Sequence, residues 1–224
     1  MEIPIYLAMT AEEFSVSREK PPFLAWMACH FSPYGRGLVN LPPPLPKNAI
    51  VTVNDRIPWN GHDANAIAVQ LKSIVCGGVL LDFQRDDTPA SLVKDLVSAL
   101  PCPTCVSHIF AKDTEGPVFL TPCPPHIPLT DHVRPWTGRE IWLEAAQNRS
   151  QIRITENGAK EIPFCFAGQY PHADQQLACH YGIDYTDAHA DFAFCRTADD
   201  LQNLAAQAQA FGVNRLIGLY QELK

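Results

Sequence analysis

The chain has 224 residues and a formal net charge of −7, with 46% hydrophobic and 18% charged residues. This length suffices for one large domain with a substantial core, and the composition shows no signature of disorder. The negative charge argues against a nucleic-acid surface, which needs clustered Lys and Arg. No apolar run reaches the roughly 18 residues of a membrane span. We therefore expect neither a nucleic-acid partner nor a membrane partner.

The beginning of the chain and its cysteines bear on the compartment. The segment Met1-Glu2-Ile3-Pro4 lacks the basic start and apolar stretch of a signal peptide. The eight cysteines lie mostly within or beside apolar runs, where free cysteine behaves as a small buried hydrophobe. These features predict a cytoplasmic protein whose cysteines are thiols.

Short apolar segments predict strands separated by helices or loops. Several of them are apolar almost throughout, as in strands that are covered on both faces. The predicted strands are 3–9, 23–31, 49–54, 78–84, 104–109, 118–121, 140–145, 190–195 and 215–220.

Three helices are predicted from apolar residues at helical spacing. The first follows Asp63, and the second follows Thr88-Pro89, with Thr88 as the N-cap and proline at the first helical position. The third follows Thr197 and stops at Gly212. Each connects two predicted strands, which indicates βαβ units with right-handed parallel crossovers.

Other connections lack helices. The proline-rich run 41–46 cannot be helical, and 109–118 is too short for a crossover helix. Residues 151–166 predict a hairpin with its turn at Asn157-Gly158. We therefore predict that residues 1–224 form a single domain, an irregular TIM (β/α)8-type barrel with some helices missing and a β-hairpin inserted at about 150–167. An open doubly wound sheet is the alternative.

The predicted strand that contains Gly78 ends in Asp82 and Gln84, which share one face with Leu80. In a TIM barrel, function lies at the C-terminal ends of the strands. The segment resembles the fourth-strand signature Asp-Gly-x-Asp-x-Asp-x-Glu of the chitinase-like (family eighteen) glycoside hydrolases. Gly78 matches the glycine, Asp82 the last aspartate and Phe83 the aromatic residue that often follows it.

The sequence departs from this signature at three positions. Gly77 and Leu80 replace the first two aspartates, and Gln84 replaces the catalytic glutamate. The resemblance implies that position 84 would protonate the glycosidic oxygen while Asp82 orients the substrate's acetamido group. An amide donates no titratable proton, so Gln84 excludes general acid catalysis from that position.

Polar residues at other strand ends are candidates for the same cleft. Glu144 pairs with Asp82 as the best carboxylate pair for glycosidase work, and Trp142 on the same face offers a sugar-stacking surface. We predict Asp82 and Glu144 as catalytic residues. The predicted substrate-binding residues are His30, Tyr34, Asp55, Gln84, Trp142, His180, Tyr220 and Gln221.

Two segments have metal-ligand character. Cys102-x-x-Cys105 and Cys123-x-x-His126 have zinc-pair spacing, but the proposed topology puts the two pairs at opposite rims of the barrel. His180, Asp184, Asp187 and His189 could bind a divalent ion at the barrel mouth, but the segment is more typical of a polar loop that uses Asp turn chemistry. We predict no metal and no cofactor.

The sequence thus favours a carbohydrate-recognising barrel related to glycoside hydrolases, with a small-molecule or oligosaccharide ligand and a lost or altered catalytic acid. One alternative is a noncatalytic partner-binding protein on a decayed barrel, which predicts a filled or shallow mouth and an apolar surface patch. The other is a metal-dependent hydrolase that uses the His180 region.

Overall fold

The structure, a computed structural model, describes residues 3–223. Its strands in chain order are β1 (Ile5–Met9), β2 (Leu24–Phe31), β3 (Leu38–Val39), β4 (Ile50–Asn54), β5 (Gly78–Asp82), β6 (Thr104–Ser107), β7 (Val118–Leu120), β8 (Ile141–Ala145), β9 (Arg149–Thr155), β10 (Gly158–Ile162), β11 (His172–Asp174), β12 (Cys179–Tyr185), β13 (Ala190–Cys195) and β14 (Val213–Leu219). The α-helices are α1 (Ala11–Val16), α2 (Ala64–Lys72), α3 (Ala90–Ala99), α4 (Leu129–Val133), α5 (Ala198–Ala210) and α6 (Tyr220–Leu223).

Eight of these strands form a closed parallel barrel, which confirms the irregular TIM-type fold. Their order around the barrel is β1, β2, β4, β5, β6, β7, β8 and β14, and β14 pairs back onto β1. The short strand β3 lies antiparallel on β2 and extends the sheet beside the closure. The alternative of an open doubly wound sheet is therefore wrong.

The barrel strands bury both faces, which explains their near-continuous apolar sequences. The outer face packs against α2, α3 and α5 in the main core. The inner face contributes a separate cluster at the centre of the barrel, as period-two alternation requires. That cluster consists of Tyr6, Ala8, Ala25, Ile50, Leu80, Cys105, Phe119, Trp142 and Ile217, with Met27 packed against it.

Helices α2 and α3 form the two regular crossovers, from β4 to β5 and from β5 to β6. The Asp63 side chain caps α2 by accepting a hydrogen bond from the Asn65 amide, as expected of an N-cap. The predicted cap of α3 is wrong, because the helix begins after Pro89 and has no side-chain cap. The Thr88 hydroxyl instead donates to the buried carboxylate of Asp55 at 2.9 Å.

A second sheet, here called the inserted sheet, is formed by the part of the chain that connects β8 to β14. Its five antiparallel strands run in the order β10, β9, β13, β12 and β11. The predicted hairpin is present as β9 and β10 with its turn at Asn157 and Gly158, where Gly158 has φ +116°. The insertion is nevertheless larger than 150–167, because β11, β12 and β13 belong to the same sheet.

The predicted strand 190–195 is therefore not part of the barrel. It forms β13, and its Asp191 lies opposite Arg153 of β9. Burial alternates along its first four residues, as in a sheet with one more open face, whereas barrel strands are covered on both faces. Helix α5 leads from the inserted sheet to β14, so it is not a βαβ crossover between barrel strands. Its own boundaries match the prediction, with a Thr197–Asp200 capping box and Gly212 at φ +81°.

Among residues 3–223, no helix has both the length and the apolar character needed to cross a membrane.

Candidate functional site

Asp82 and Glu144 meet at the C-terminal ends of the barrel strands, here called the mouth. Asp82 is the last residue of β5, and Glu144 lies near the end of β8. Both side chains line one small cavity of about 40 Å³, here called the mouth pocket. Its other lining residues are Ala8, Met27, Thr52, Leu80, Phe119, Ile217, Gly218 and Leu219. The shared face predicted for Leu80 and Asp82 is thus present.

The Asp82 carboxylate is held by the side chain of Gln84, two residues further along the chain. Gln84 Nε2 donates a hydrogen bond to Asp82 Oδ1 at 2.7 Å. Burial raises the pKa of Asp82, the Gln84 hydrogen bond opposes this shift, and the nearby Asp55 charge adds to it. Gln84 itself is exposed at the rim, so its amide is available to a ligand that lies across the mouth.

Glu144 is the group in the mouth pocket that titrates near neutral pH. Burial raises its pKa to about 7, and the negative charges of Asp82 and Glu222 add to the effect. A carboxyl with a pKa in this range is present in both protonation states at pH 7. It can therefore donate or accept a proton, which is the property that general acid–base chemistry requires.

Thr52 belongs to the mouth pocket although the sequence did not single it out. It lies on β4 opposite Leu80, is 3% exposed, and its hydroxyl has no hydrogen-bond partner within residues 3–223. A buried hydroxyl without a partner is unfavourable, so this atom is suited to bond a ligand group or a water. The available signal was a polar residue inside the apolar run Ile50-Val51-Thr52-Val53, in period-two phase with Asn54.

Asp55 does not line the mouth pocket. Its carboxylate is 3% exposed and accepts hydrogen bonds from the backbone amides of Gln84 and Arg85 at 2.9 to 3.0 Å. Together with the Thr88 hydroxyl, these donors make Asp55 the anchor of the loop that follows β5. Its neighbour Asn54 is in register with Asp82, and alternation along the strand turns Asp55 to the other face.

Trp142 shares the inner face with Glu144 as predicted, but it offers no stacking surface. The ring is fully buried in the inner cluster, with Nε1 donating to Glu140 Oε1 at 2.7 Å. The Arg215 guanidinium lies 4.3 Å from the ring centroid. Glu140 directly precedes β8. Gly78, the first residue of β5, lies against the Trp142 ring. Trp142 therefore fills the end of the barrel opposite the mouth.

His30 and Tyr34 are also outside the mouth pocket. His30 is 6% exposed, and its Nδ1 bonds the Phe31 carbonyl oxygen while Nε2 bonds the Asn40 side chain. Both ring nitrogens are thus occupied by the chain itself. Tyr34 is 98% exposed in the loop between β2 and β3. Its ring extends into solvent because this loop carries it away from the barrel axis.

Tyr220 and Gln221 line a larger and shallower depression at the same end of the barrel, here called the rim groove. The groove has a volume of about 820 Å³ and lies between α1 and α6, which directly follow β1 and β14. Gln221 Nε2 donates to Glu13 Oε1 at 2.7 Å across the groove. Leu219, which lines the mouth pocket, directly precedes Tyr220, which lines the rim groove.

His180 does not line the mouth pocket. It lies on β12 of the inserted sheet, where its Nδ1 is 3.0 Å from Asp200 Oδ2 at the start of α5. His189 is near Thr186 and Asp191 instead. Within residues 3–223, no three His, Cys, Asp or Glu side chains are grouped as metal ligands. The structure therefore gives no support to a metal-dependent hydrolase that uses the His180 region.

The cysteine motif with zinc spacing is also dispersed. Cys105 lies in the inner cluster of the barrel, whereas Cys102 precedes β6 and packs against the outer core. Cys123 is buried, and its Sγ contacts the Ile127 carbonyl at 3.3 Å. His126 bonds the Ser150 hydroxyl at 2.7 Å. These contacts leave no common centre for the four side chains.

The closed parallel barrel, with two carboxylates at its C-terminal mouth, defines the class of this fold as an irregular TIM-type barrel. No protein-family model matches the sequence, and a search of curated proteins finds no match. Solved structures do match its fold.

One of these is the family 18 N-acetylglucosaminidase of Paenibacillus barengoltzii, with a TM-score of 0.60 and 10% identity over 99% of this chain and 97% of that one. The spore cortex-lytic enzyme SleL of Bacillus cereus has a TM-score of 0.56 and 8% identity, over 100% of this chain and 72% of that one. A chitinase of Chromobacterium violaceum ATCC 12472 has a TM-score of 0.51 and 12% identity, over 99% of this chain and 95% of that one. At these identities the likeness concerns the fold, which is that of the chitinase-like barrels.

Proposed function

We propose that this protein recognises carbohydrate at the barrel mouth and that its acid–base chemistry, where it acts on the ligand, depends on Glu144. The observation that carries the proposal is the convergence of Asp82 and Glu144, from two separate strands, on one pocket of a chitinase-like barrel. Paired carboxylates in such a pocket suit sugar hydroxyl and amide groups, which are hydrogen-bond donors.

The size of the mouth pocket limits what enters it. A volume of about 40 Å³ is far below the roughly 300 to 1,000 Å³ of pockets that enclose a whole small-molecule ligand, so the mouth pocket does not enclose a sugar ring. A hydroxyl or a small substituent of a ring does fit. We therefore place the saccharide across the mouth, with one substituent directed at Thr52 and the two carboxylates, and its neighbouring unit over the rim groove.

A glutamate at position 84 would both bind the ligand and transfer a proton. Here Gln84 serves binding, and Glu144 serves proton transfer. The Gln84 amide donates a hydrogen bond but no titratable proton, so it serves binding. Glu144 has a pKa of about 7 and holds a transferable proton at neutral pH. The protein resembles enzymes on chitin-type and spore cortex glycans, so N-acetylated oligosaccharides are the first ligands to test.

The test is a panel of chitin, peptidoglycan and glucan fragments, measured by calorimetric binding and by product release. We expect binding to at least one N-acetylated fragment, and a roughly 10- to 100-fold weaker affinity in Asp82→Asn and Glu144→Gln, since a hydrogen bond to a charged group is lost. Asp95→Asn, a matched change on the exposed face of α3, should bind as the unmodified protein does. Absence of binding and of hydrolysis across the panel would overturn the proposal.

A second candidate, noncatalytic partner binding, is favoured by a different observation. The face of the inserted sheet that carries Ile154, Ile183 and Tyr185 leaves these side chains 43%, 41% and 79% exposed. An apolar patch of this kind is typical of interaction surfaces. Analytical ultracentrifugation tests self-association through it: association that Ile183→Lys abolishes would support this function, and a monomer at all concentrations would count against it.

A further inference from the structure

Two thiols lie side by side at the end of the barrel opposite the mouth. Cys76 precedes β5 by two residues, and Cys102 precedes β6 by two residues. Both are partly exposed free thiols that pack against the edge of the outer core. Neither belongs to the mouth pocket, and the zinc-type spacing of Cys102 with Cys105 does not bring those two side chains together.

The strand register explains why these two residues are neighbours. Val79 of β5 pairs with Thr104 of β6, and the two thiols lie three residues before the first and two residues before the second, in the segments that enter these adjacent strands. The Val79 amide donates to the Pro103 carbonyl at 2.9 Å, which holds the two entering segments together. Adjacent strands are about 4.7 to 4.9 Å apart, and disulfides bridge Cα atoms that are roughly 4.4 to 6.8 Å apart.

The two thiols also have unequal chemistry. Interaction with the Cys76 thiol, which donates to the Cys102 sulfur, lowers the pKa of Cys102 to about 6. The same interaction, together with burial, raises the pKa of Cys76. One member of the pair is thus a thiolate at neutral pH, and the other keeps its proton.

We propose that Cys76 and Cys102 form a reactive dithiol site, here called the rear dithiol, that reduces low-molecular-weight disulfides of the glutathione type and closes into an intramolecular disulfide. It is independent of the function proposed for the mouth.

The reaction balances in two exchange steps. The Cys102 thiolate attacks one sulfur of the small disulfide, which forms a mixed disulfide and releases one small thiolate. That thiolate takes up a proton, Cys76 loses its proton, and the Cys76 thiolate attacks Cys102 Sγ. The second small thiolate leaves and is protonated. In sum, two protein thiols are oxidised to a disulfide and one small disulfide is reduced to two thiols.

The disulfide would join the beginnings of two adjacent barrel strands and enclose α3. Closing that loop restricts the unfolded chain, so we expect the oxidised protein to unfold at a midpoint roughly 5 to 10 °C higher than the reduced protein. The mouth is at the other end of β5, and its residues do not take part in the exchange.

The test equilibrates the full chain in buffers of defined reduced and oxidised glutathione ratio, followed by acid quench, alkylation and non-reducing peptide mapping with fragmentation. We expect a Cys76–Cys102 link that is absent in Cys76→Ser and Cys102→Ser but present in Cys165→Ser and Cys105→Ala. Cys165 is the matched control because it is an exposed thiol on the inserted sheet side of the molecule.

A second measurement on the reduced protein does not depend on the serine variants folding equally well. The pH profile of alkylation should identify Cys102 as the fastest-reacting thiol at pH 7, and its apparent pKa should rise in Cys76→Ala. Stable mixed disulfides at Cys102 without a link to Cys76, or faster alkylation of Cys165 than of Cys102 at pH 7, would overturn the proposal.

Discussion

Glu144 makes the stability of the protein depend on pH near neutrality. Its folded-state pKa of about 7 is raised above the ordinary value of 4.5, so the folded state binds the proton more tightly than the unfolded state does. The contribution of protonated Glu144 to the free energy of unfolding is complete below pH 4.5 and is lost as the pH rises through 7. The carboxylate that then forms is partly desolvated and close to Asp82.

We expect Glu144→Gln to remove this dependence. Between pH 4.5 and pH 8, the free energy of unfolding should fall by about 2 kcal/mol less in the variant than in the unmodified protein, after discounting for partial exposure. Urea denaturation at a series of pH values measures the difference. Asp95→Asn should follow the unmodified protein, and a Glu144→Gln curve parallel to that of the unmodified protein would contradict the raised pKa.

Gln84 supplies a second test at the residue scale. Replacing its amide in Gln84→Glu puts a carboxyl where the present donor to Asp82 lies. Two carboxyl groups at this distance cannot both be ionised easily, so one proton will be shared and one apparent pKa of the pair will rise. We expect hydrolysis of chitin oligosaccharides to increase relative to the unmodified protein, because position 84 then carries a titratable acid.

The measurement for Gln84→Glu is product release as a function of pH, with Gln84→Ala as the control that removes the amide without adding an acid. A rate that is the same in Gln84→Glu and Gln84→Ala would show that the identity of residue 84 does not limit hydrolysis.

At the scale of elements, Asp55 connects β4 to the loop that carries Gln84. Asp55→Asn should destabilise the fold by roughly 1 to 3 kcal/mol, since an amide cannot accept all the hydrogen bonds that this buried carboxylate receives. Urea denaturation gives the change, and faster amide exchange at Gln84 and Arg85 would locate it. The control is Asp87→Asn, whose exposed ion pair with Arg85 contributes little.

The elements that the sequence predicted well are those with a strong local signal. Continuous apolar runs identified the barrel strands, and the Asp63 and Thr197 caps identified the starts of α2 and α5. The apolar content of residues 190–195 resembles that of a barrel strand and therefore predicts a place in the barrel, which is wrong. Its partner is decided by long-range pairing with β9, and no local pattern encodes that choice.

At the scale of the whole molecule, Arg196 joins the inserted sheet to the barrel. Its guanidinium is 3% exposed and donates to the carbonyls of Cys123, Leu177 and Ala178 at 2.6 to 3.0 Å. Cys123 follows the barrel strand β7, whereas the other two precede β12. A single buried side chain therefore connects two sheets that share no strand.

We expect Arg196→Lys to destabilise the protein by roughly 2 to 4 kcal/mol, because one ammonium group cannot reach all these acceptors. Thermal unfolding and limited proteolysis of residues 163–176 are the measurements, with faster cleavage expected in the variant. Arg149→Lys, at an exposed position of the same sheet, is the control. Equal cleavage rates in the two variants would contradict the joining role of Arg196.

The site was predictable only in part, and the reason is geometric. Period-two alternation placed Asp82 and Glu144 on inner faces, and their strands both end at the mouth. The same alternation does not predict how far along the barrel axis a side chain lies. Trp142 and Glu144 share a face, yet Trp142 is fully buried near the opposite end of the barrel, whereas Glu144 lines the mouth pocket. Loop paths, which carry Tyr34 into solvent, follow from the packing of the whole chain.

Trp142, with Arg215 stacked on its ring and Glu140 bonded to its indole, belongs to the packed cluster that fills the barrel interior. A ligand would therefore reach Thr52 and Glu144 from the mouth, where both side chains line the mouth pocket. A saccharide bound across the mouth would cover both groups, so we expect proton exchange between these groups and the solvent to slow while the ligand is bound. The lifetime of the complex would then set how long Glu144 keeps one protonation state.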